Sequence, residues 1–261
     1  IRDRAFTTDD YEILLRQAFP EITALNVFGG EELNPPQYGK VAISVTTEDS
    51  LMGISNNLRD KYTTFIKSKN PTMINPIFID PDIISVRVHS KVFYDYTLTT
   101  LTENDITARV KQTISTFNTV NLNNFNTTLY KSKLTGAIDA SEVSIQGNET
   151  KLEMVSIVDH VLLRNRSRTI ELHNSIALCS SFLQPSVYST TFKYDNKVCR
   201  LVDDYNGVIY IETNLNGAPS KIKAIGAVNY TDGSITLQPT NIQELYTTNL
   251  KIFARPLNDD I

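Results

Sequence analysis

A capped, amphipathic segment over residues 4–20 constrains the fold of this chain more than any other stretch. Thr7 and Asp10 have the spacing of a capping box, in which two side chains satisfy backbone groups at a helix start. Four apolar residues follow at the spacing of one helical face: Tyr11, Leu14, Leu15 and Ala18. Pro20 ends the helix, because its ring excludes the preceding residue from helical geometry. The segment therefore predicts a helix that buries one face.

Strands and a second helix follow this first helix as far as residue 81. The predicted strands carry Ile22, Leu25, Val27 and Phe28, then Val41, Ile43 and Val45. The second helix has an apolar face made of Ile54, Leu58, Tyr62, Phe65 and Ile66. Asn70 and Pro71 end it, and a short strand lies at 76–80. We predict a first unit, residues 1–81, with two helices on one face of a small sheet.

A second predicted unit, residues 82–165, begins with an alternating segment at 83–96. One face carries Val86, Val88, Val92 and Tyr94, and the other carries Arg87, His89, Lys91 and Asp95. This alternation predicts a half-buried, antiparallel strand with one face in water.

The rest of the second unit is predicted to be mostly helical. Thr102 and Asp105 repeat the capping-box spacing, and an apolar helical face follows at 106–117. A short helix at 132–141 and a strand at about 151–158 complete the unit.

Residues 166–261 have the pattern of β-structure. Residues 187–194 alternate and are predicted to pair with 198–202. Asn206-Gly207 and Asp232-Gly233 predict two-residue hairpin turns, in which both turn positions need positive φ. We predict an antiparallel sheet or a small sandwich. The fold class is therefore α+β: two small α/β units, with mixed or antiparallel sheets and helices on one face, followed by an antiparallel β-rich domain.

Composition argues against several partners. The 261 residues carry a net charge of −4, so no basic character indicates nucleic acid or an anionic membrane. No apolar run reaches the roughly 20 residues of a membrane-spanning helix. Arg164, Arg166 and Arg168 form a small basic cluster, which we interpret as a solvated linker or an interface anchor. We expect no nucleic acid and no membrane as partner.

Residues capable of chemistry are few and scattered. His89, His160 and His173 are each predicted in a strand, exposed or hydrogen-bonded. Cys179 and Cys199 are predicted to be buried, reduced thiols. Adjacent carboxylates cluster at predicted helix starts and turns: Asp9-Asp10, Glu31-Glu32, Asp203-Asp204 and Asp259-Asp260. We predict no catalytic, cofactor-binding or metal site, and no small-molecule substrate.

Two stretches resemble a known family. The first runs from Arg4 to Tyr11, with the Ala18-Phe19-Pro20 helix end, and is similar to the Arg-Ala-x-Thr-x-x-Asp-Tyr helix of the baseplate-J-like family of contractile phage tails. The second resembles a segment of T4-type baseplate wedge proteins and contains Ser132-Lys133-Leu134, Ala137-Ile138-Asp139, Ser144-Ile145, Asn148 and Thr150. Because each motif is short, their order and spacing over about residues 1–160 carry the resemblance.

The resemblance implies a structural role without enzymatic activity. The chain would be the C-terminal part of a wedge subunit, a late protein of the virion tail baseplate that is assembled in the host cytoplasm. It would form a homodimer, contact other baseplate wedge proteins and join neighbouring wedges into a ring around the tail hub. Residues 80–82 and 162–168 would be hinges when the ring rearranges during tail contraction. We expect the terminal β region to be the pairing surface, because edge strands and hairpins pair readily.

Two other functions remain open from the residues. The β region of a tail protein could bind a host-surface glycan, which predicts exposed aromatic side chains in a groove. A hydrolase domain would need a pair of carboxylates that only the fold brings together.

Overall fold

The computed structural model describes residues 4–33, 35–47, 54–69, 74–81, 83–178, 185–215 and 218–261. Contacts divide the chain into unit 1, residues 1–83 with 115–128, and unit 2, residues 84–114 with 129–261. The described helices are α1 Thr8–Ala18, α2 Asn56–Lys69, α3 Glu103–Phe117, α4 Lys131–Asp139 and α5 His160–Leu163. The described strands are β1 Ile22–Gly29, β2 Lys40–Thr47, β3 Asn75–Ile79, β4 Ser85–Tyr94, β5 Ile145–Val158, β6 Arg168–Glu171, β7 Val187–Ser189, β8 Phe192–Tyr194, β9 Lys197–Asp203, β10 Val208–Leu215, β11 Ala218–Asn229, β12 Ser234–Leu237, β13 Glu244–Leu245 and β14 Leu250–Ala254.

Unit 1 is built on a three-stranded mixed sheet in the order β1-β2-β3. Strands β1 and β2 are antiparallel, while β3 runs parallel to β2 after the α2 connection. The predicted capping box starts α1: the Asp10 N–H donates to Thr7 Oγ1 at 3.3 Å, and the Thr7 N–H donates to Asp10 Oδ2 at 3.0 Å. Asn70 and Pro71, which were predicted to end α2, lie outside the described residues.

The core of unit 1 lies where both helices pack against one face of this sheet. The buried side chains of this cluster include Tyr11, Leu15, Leu25, Val27, Ile43, Val45, Tyr62, Ile66 and Phe78. Ala18, predicted on the apolar face of α1, is exposed, whereas Phe19, the residue directly after the helix, is buried. The predicted arrangement of two helices on a small sheet is confirmed.

Unit 2 is organised around one eleven-stranded antiparallel sheet within the described residues. Its main order is β4-β5-β14-β7-β9-β10-β11-β12-β6, and β8 pairs with both β9 and β13. The predicted alternating strand is β4, whose residues alternate between exposed and half-buried along its whole length. The α+β prediction, with helical units followed by antiparallel β-structure, is confirmed.

The large sheet runs across the predicted boundary near residue 165. Strand β5 pairs with β4 on one side and with β14 on the other, from Leu250 opposite Val158 to Ala254 opposite Met154. Strand β5 also begins earlier than predicted, because its pairing with β4 extends to Ile145 opposite Tyr94. The division into 1–81, 82–165 and 166–261 stays a prediction.

The hairpin at Asn206-Gly207 forms, but its predicted two-residue turn is wrong. Strands β9 and β10 are joined by the four residues 204–207, with positive φ at Tyr205 and Gly207. The Asp204 carboxylate accepts the N–H groups of Asn206 and Val208, both at 2.9 Å, and this side-chain bonding favours the longer loop. The β11–β12 hairpin likewise uses four residues, 230–233, with positive φ at Gly233.

The continuous strand predicted over 187–194 is also wrong. It is interrupted after Ser189, because β7 pairs with β14 while β8 pairs with β13. The Thr190 N–H donates to the Lys251 carbonyl at 2.9 Å at the interruption. Both pieces still pair with β9, as the sequence predicted.

Candidate interaction surfaces

An exposed apolar group lies where β4 ends and β5 begins. We call it the ribbon tip, and it consists of Phe93, Tyr96, Leu98 and Val143. Tyr96 and Val143 are 81% and 86% exposed, far more than isolated apolar side chains in the rest of the β4–β5 ribbon. Large apolar side chains that gather in solvent are typical of a contact surface.

Main-chain and side-chain bonds hold the ribbon tip in place. The Asp95 N–H donates to the Ser144 carbonyl at 2.8 Å, which fixes the segment before Tyr96 to the segment after Val143. The Asp95 carboxylate accepts the Thr97 hydroxyl and N–H, and these hydrogen bonds lower the pKa of Asp95. Arg109 of α3 forms an ion pair with Glu142, so a helix also anchors this segment.

A second surface is an arm in the terminal β region, formed where β11 extends past its neighbour. Strand β11 pairs with β10 from Ala218 onward but with β12 only from Gly226. Residues 218–224 are all exposed, and no strand in the described part of the chain pairs with their outer edge. We call residues 218–224 the β11 arm. A strand with one unpaired edge is a template for pairing with another chain.

A polar cluster in unit 2 surrounds the buried side chain of Glu153 on β5. The Tyr188 hydroxyl lies 2.9 Å from both Glu153 carboxylate oxygens, and His89 Nε2 lies 3.2 Å from Oε2. Arg87 Nη1 approaches the same oxygen at 3.9 Å. The Arg87 guanidinium also lies 4.9 Å from the centre of the Phe253 ring, which stacks on Tyr188.

This cluster has the chemistry of a structural network. Burial, followed by the hydrogen bond to Glu153, raises the pKa of Tyr188 to about 12, so the phenol stays protonated as a donor. Both oxygens of Glu153 already accept hydrogen bonds, so the hydrogen-bonding capacity of the carboxylate is used within the cluster. The cluster therefore ties β4, β5 and β7 together.

The three histidines do not converge. His89 lies on β4, exposed and hydrogen-bonded as predicted. His160 is the first residue of α5, because the Asp159 carboxylate caps this helix by accepting the Val161 N–H at 2.8 Å. His173 lies in the loop after β6 with a positive φ of 50°. The predicted strand positions of His160 and His173 are therefore wrong.

The four adjacent carboxylate pairs lie in separate places, and each has a structural partner. Asp10 belongs to the α1 capping box, and Glu32 accepts the Gly29 N–H at 3.3 Å. Asp203 accepts the Val187 N–H at 3.0 Å and the Tyr230 hydroxyl at 2.8 Å. Asp259 pairs with the Lys131 ammonium at 2.8 Å.

The predicted thiols and the basic cluster are partly accounted for. Cys199 is a buried, free thiol in β9, and burial raises its pKa; Cys179 lies outside the described residues. Arg164 donates to the Ile242 carbonyl at 2.8 Å, so one of the three arginines fastens the chain internally.

Among the described residues, no group of His, Cys, Asp and Glu could hold a metal ion. None of their helices has the length and apolarity needed to span a bilayer.

Sequence reasoning missed the Glu153 cluster and the ribbon tip. Tyr188 is 35 residues from Glu153, and His89 is 64 residues from it, so no local spacing connects them. The one available signal was the placement of Arg87 and His89 on the polar face of β4. Val143 joins the ribbon tip only through the pairing of β4 with β5.

Comparisons with known proteins identify the class of protein to which this chain belongs. Residues 7–79 match the family model described as baseplate structural protein gp6, C-terminal domain I. Residues 82–156 match the model for C-terminal domain III of the same protein. The two matches follow one another along the chain and together cover more than half of it.

The chain belongs to the gp6 family of phage baseplate wedge structural proteins and corresponds to the C-terminal part of gp6. Baseplate wedge protein gp6 of Enterobacteria phage T4 is 23% identical over 255 residues, which are 95% of this chain. The chain spans 36% of the length of that relative.

A solved structure is also similar. It is a chain in the cryo-EM structure of the anti-feeding prophage (AFP) baseplate, 6-fold symmetrised, and the likeness covers 58% of this chain and 34% of that chain. The identity is 15% and the TM-score is 0.45.

Proposed function

We propose that this chain is a non-catalytic scaffold that joins neighbouring baseplate wedges in the virion tail. The observation that carries the proposal is the ordered match to gp6 C-terminal domains I and III. In this proposal the chain forms a homodimer, contacts other baseplate wedge proteins and contributes to a ring around the tail hub. It is made late and assembled in the host cytoplasm. The structural roles of the Glu153 cluster and of the carboxylate pairs support a scaffold without an active site.

The terminal β region is the proposed surface for self-association. The β11 arm supports this choice, because its outer edge has unpaired backbone groups over residues 218–224. Ile222 is an exposed apolar side chain within the arm. Two copies that pair along this edge, with Ile222 of one opposite Ala218 of the other, would satisfy backbone hydrogen bonds and cover Ile222. This register also keeps Lys221 and Lys223 of the two copies from lying opposite one another.

The proposed rearrangement during contraction needs hinges between rigid parts. We propose residues 80–82 and 162–168 for this role, together with the three-part division at residues 81 and 165. Because β5 pairs with β14 across the second boundary, a hinge at 162–168 would act as a bend within the large sheet. Asp82 lies outside the described residues. Residues 164–167 connect α5 to β6, and the Thr240 N–H donates to the neighbouring Leu163 carbonyl at 2.9 Å. A hinge here must keep or exchange that hydrogen bond.

The mass of the purified chain in solution, measured by light scattering over a range of concentrations, tests self-association. We expect the mass to rise from one copy to two with concentration. Ile222→Glu should shift the equilibrium towards single copies, because it places a carboxylate in the shared edge. Val198→Glu is the matched control, since Val198 is a similarly exposed apolar residue outside the arm. Single copies at every concentration would overturn the self-association proposal.

A further inference from the structure

The two edges of the large sheet differ in how open they are to pairing. One edge is β6, with four residues, and the other is β4, with ten. Natural sheets protect their edges with short strands, prolines, bulges and charged side chains, especially Lys. Strand β4 has no proline or glycine, and its register with β5 is regular from Ser85 to Phe93. The β4 edge is therefore long and regular, and its protection consists of charged side chains and the register shift between Phe93 and Tyr94.

The backbone of this edge is available to a further strand. Among the residues that the structure describes, β4 pairs with β5 alone. An antiparallel edge strand directs about half of its N–H and C=O groups away from its only neighbour. No residue of β4 is buried, which shows that solvent reaches the whole strand.

The charged side chains at this edge determine which kind of partner strand would fit. The exposed polar side chains on this face of β4 are Ser85, Arg87, His89 and Lys91, and Lys151 lies opposite His89 on β5. On the same face of β5, Glu153 lies opposite Arg87, buried in its cluster, and Glu149 lies opposite Lys91, so both carboxylates are one strand in from the edge. A strand that pairs with β4 would therefore meet cationic side chains first.

A second copy of β4 fits this edge poorly. In a two-fold antiparallel pair centred on His89, Arg87 of one copy would lie opposite Lys91 of the other. Like charges directly opposite each other destabilise a strand pair, whereas opposite charges stabilise it. An acidic strand satisfies both the backbone and the charges.

We propose that the β4 edge binds an extended segment of another protein that carries Asp or Glu at alternate positions, which adds a twelfth strand to the sheet. This inference rests on the proposed scaffold function and deepens it by giving the chemistry of one partner. Backbone hydrogen bonds supply the affinity, and the pairing of carboxylates with Arg87 and Lys91 supplies the selectivity.

A peptide titration followed by fluorescence anisotropy tests the proposal on the full chain. The probe is a labelled peptide of about nine residues, enough to span β4, that alternates Glu with Val or Thr. We expect saturable binding and increased protection of β4 amides from hydrogen exchange. Arg87→Glu with Lys91→Glu should weaken binding by about tenfold or more. Lys251→Glu, on an inner strand of the sheet, should leave it unchanged.

Two further probes separate strand pairing from simple charge attraction. Two N-methylated peptides are compared, one methylated at the odd-numbered N–H groups and one at the even-numbered groups. Only one of these sets faces β4, so methylation of that set should abolish binding, because the methyl groups block the hydrogen bonds between the strands. Equal binding of both N-methylated peptides, or equal binding of a single-stranded oligonucleotide of about 20 nucleotides, would overturn the proposal. So would the absence of saturable binding. None of these results alters the mass measurement that tests self-association.

Discussion

Both units bury Leu, Ile, Val and aromatic side chains in their cores. They differ in how far apart along the chain their neighbouring strands lie. In unit 1 the sheet order β1-β2-β3 follows the chain, and helices α1 and α2 cover one face. In unit 2 the neighbours β5 and β14 are far apart in the chain, with Val158 opposite Leu250. Unit 1 therefore follows from local patterns, whereas unit 2 depends on pairings that no local pattern specifies.

Equivalent cavity-creating substitutions in the two sheets should give the largest effect on stability and test this difference. Ile43 in β2 and Ile211 in β10 are both fully buried on strands that have a neighbour on each side. Ile43→Ala and Ile211→Ala should each lower the free energy of unfolding by about 2–5 kcal/mol. Hydrogen exchange should show loss of protection as far as β5 and β14 for Ile211→Ala, and only in unit 1 for Ile43→Ala. If Ile211→Ala lowered hydrogen-exchange protection only in β9–β11, the proposed dependence of unit 2 on distant pairings would be wrong.

Two glycines with the same φ angle allow a second comparison between unit 1 and unit 2. Gly39 and Gly233 both have φ of +75°, but a Cβ at Gly39 meets nothing within 4 Å, while a Cβ at Gly233 would lie 2.0 Å from the Asn174 carbonyl oxygen. Gly39→Ala should cost about 1–2 kcal/mol from the left-handed backbone alone. Gly233→Ala should cost more, about 3 kcal/mol, because a distant segment must also move. Equal costs in denaturant titrations would show that the Asn174 contact is unimportant.

The Glu153 cluster tests whether distant polar contacts stabilise unit 2. Tyr188→Phe should cost about 1–3 kcal/mol at neutral pH, because the buried carboxylate loses a donor. The pKa of Tyr188 is about 12 in the folded protein and near 10 when unfolded, so the folded state holds this proton more tightly. The stabilisation is therefore complete below about pH 10 and is lost as the pH rises through about 12.

Unfolding of the wild-type chain and Tyr188→Phe should accordingly be compared at several pH values. The difference in unfolding free energy between them should shrink above about pH 10. A difference that stays constant to pH 12 would contradict the assigned role of Tyr188.

The helix caps are the smallest effect and should be equal in the two units. Thr7 in unit 1 and Thr102 in unit 2 each form a capping box, with Asp10 and Asp105 respectively. Thr7→Ala and Thr102→Ala should each cost about 1 kcal/mol, since a cap acts within one helical turn. Unequal costs in thermal unfolding would show that tertiary surroundings also govern these caps.

The difference between local patterns and distant pairings explains which surfaces can be predicted from the sequence. The polar face of β4 was predicted from alternation alone, and the terminal β region was chosen because hairpins were visible in it. The β11 arm itself was not predicted, because its exposure arises from the late start of β12 pairing at Gly226. The ribbon tip likewise needed the register of β4 with β5.

By itself the sequence determined both capping boxes, most strands and the α+β class, because these depend on residues within one turn or a few alternating positions. The turns at Asn206-Gly207 and Asp232-Gly233 were located correctly but not in their conformation, because the Asp204 carboxylate competes for the backbone donors of the first. Only the tertiary structure decided that β5 joins β14 and that Glu153 meets Tyr188. Such contacts require distant segments to pair, and hydrophobic periodicity states which face is buried but not against which strand.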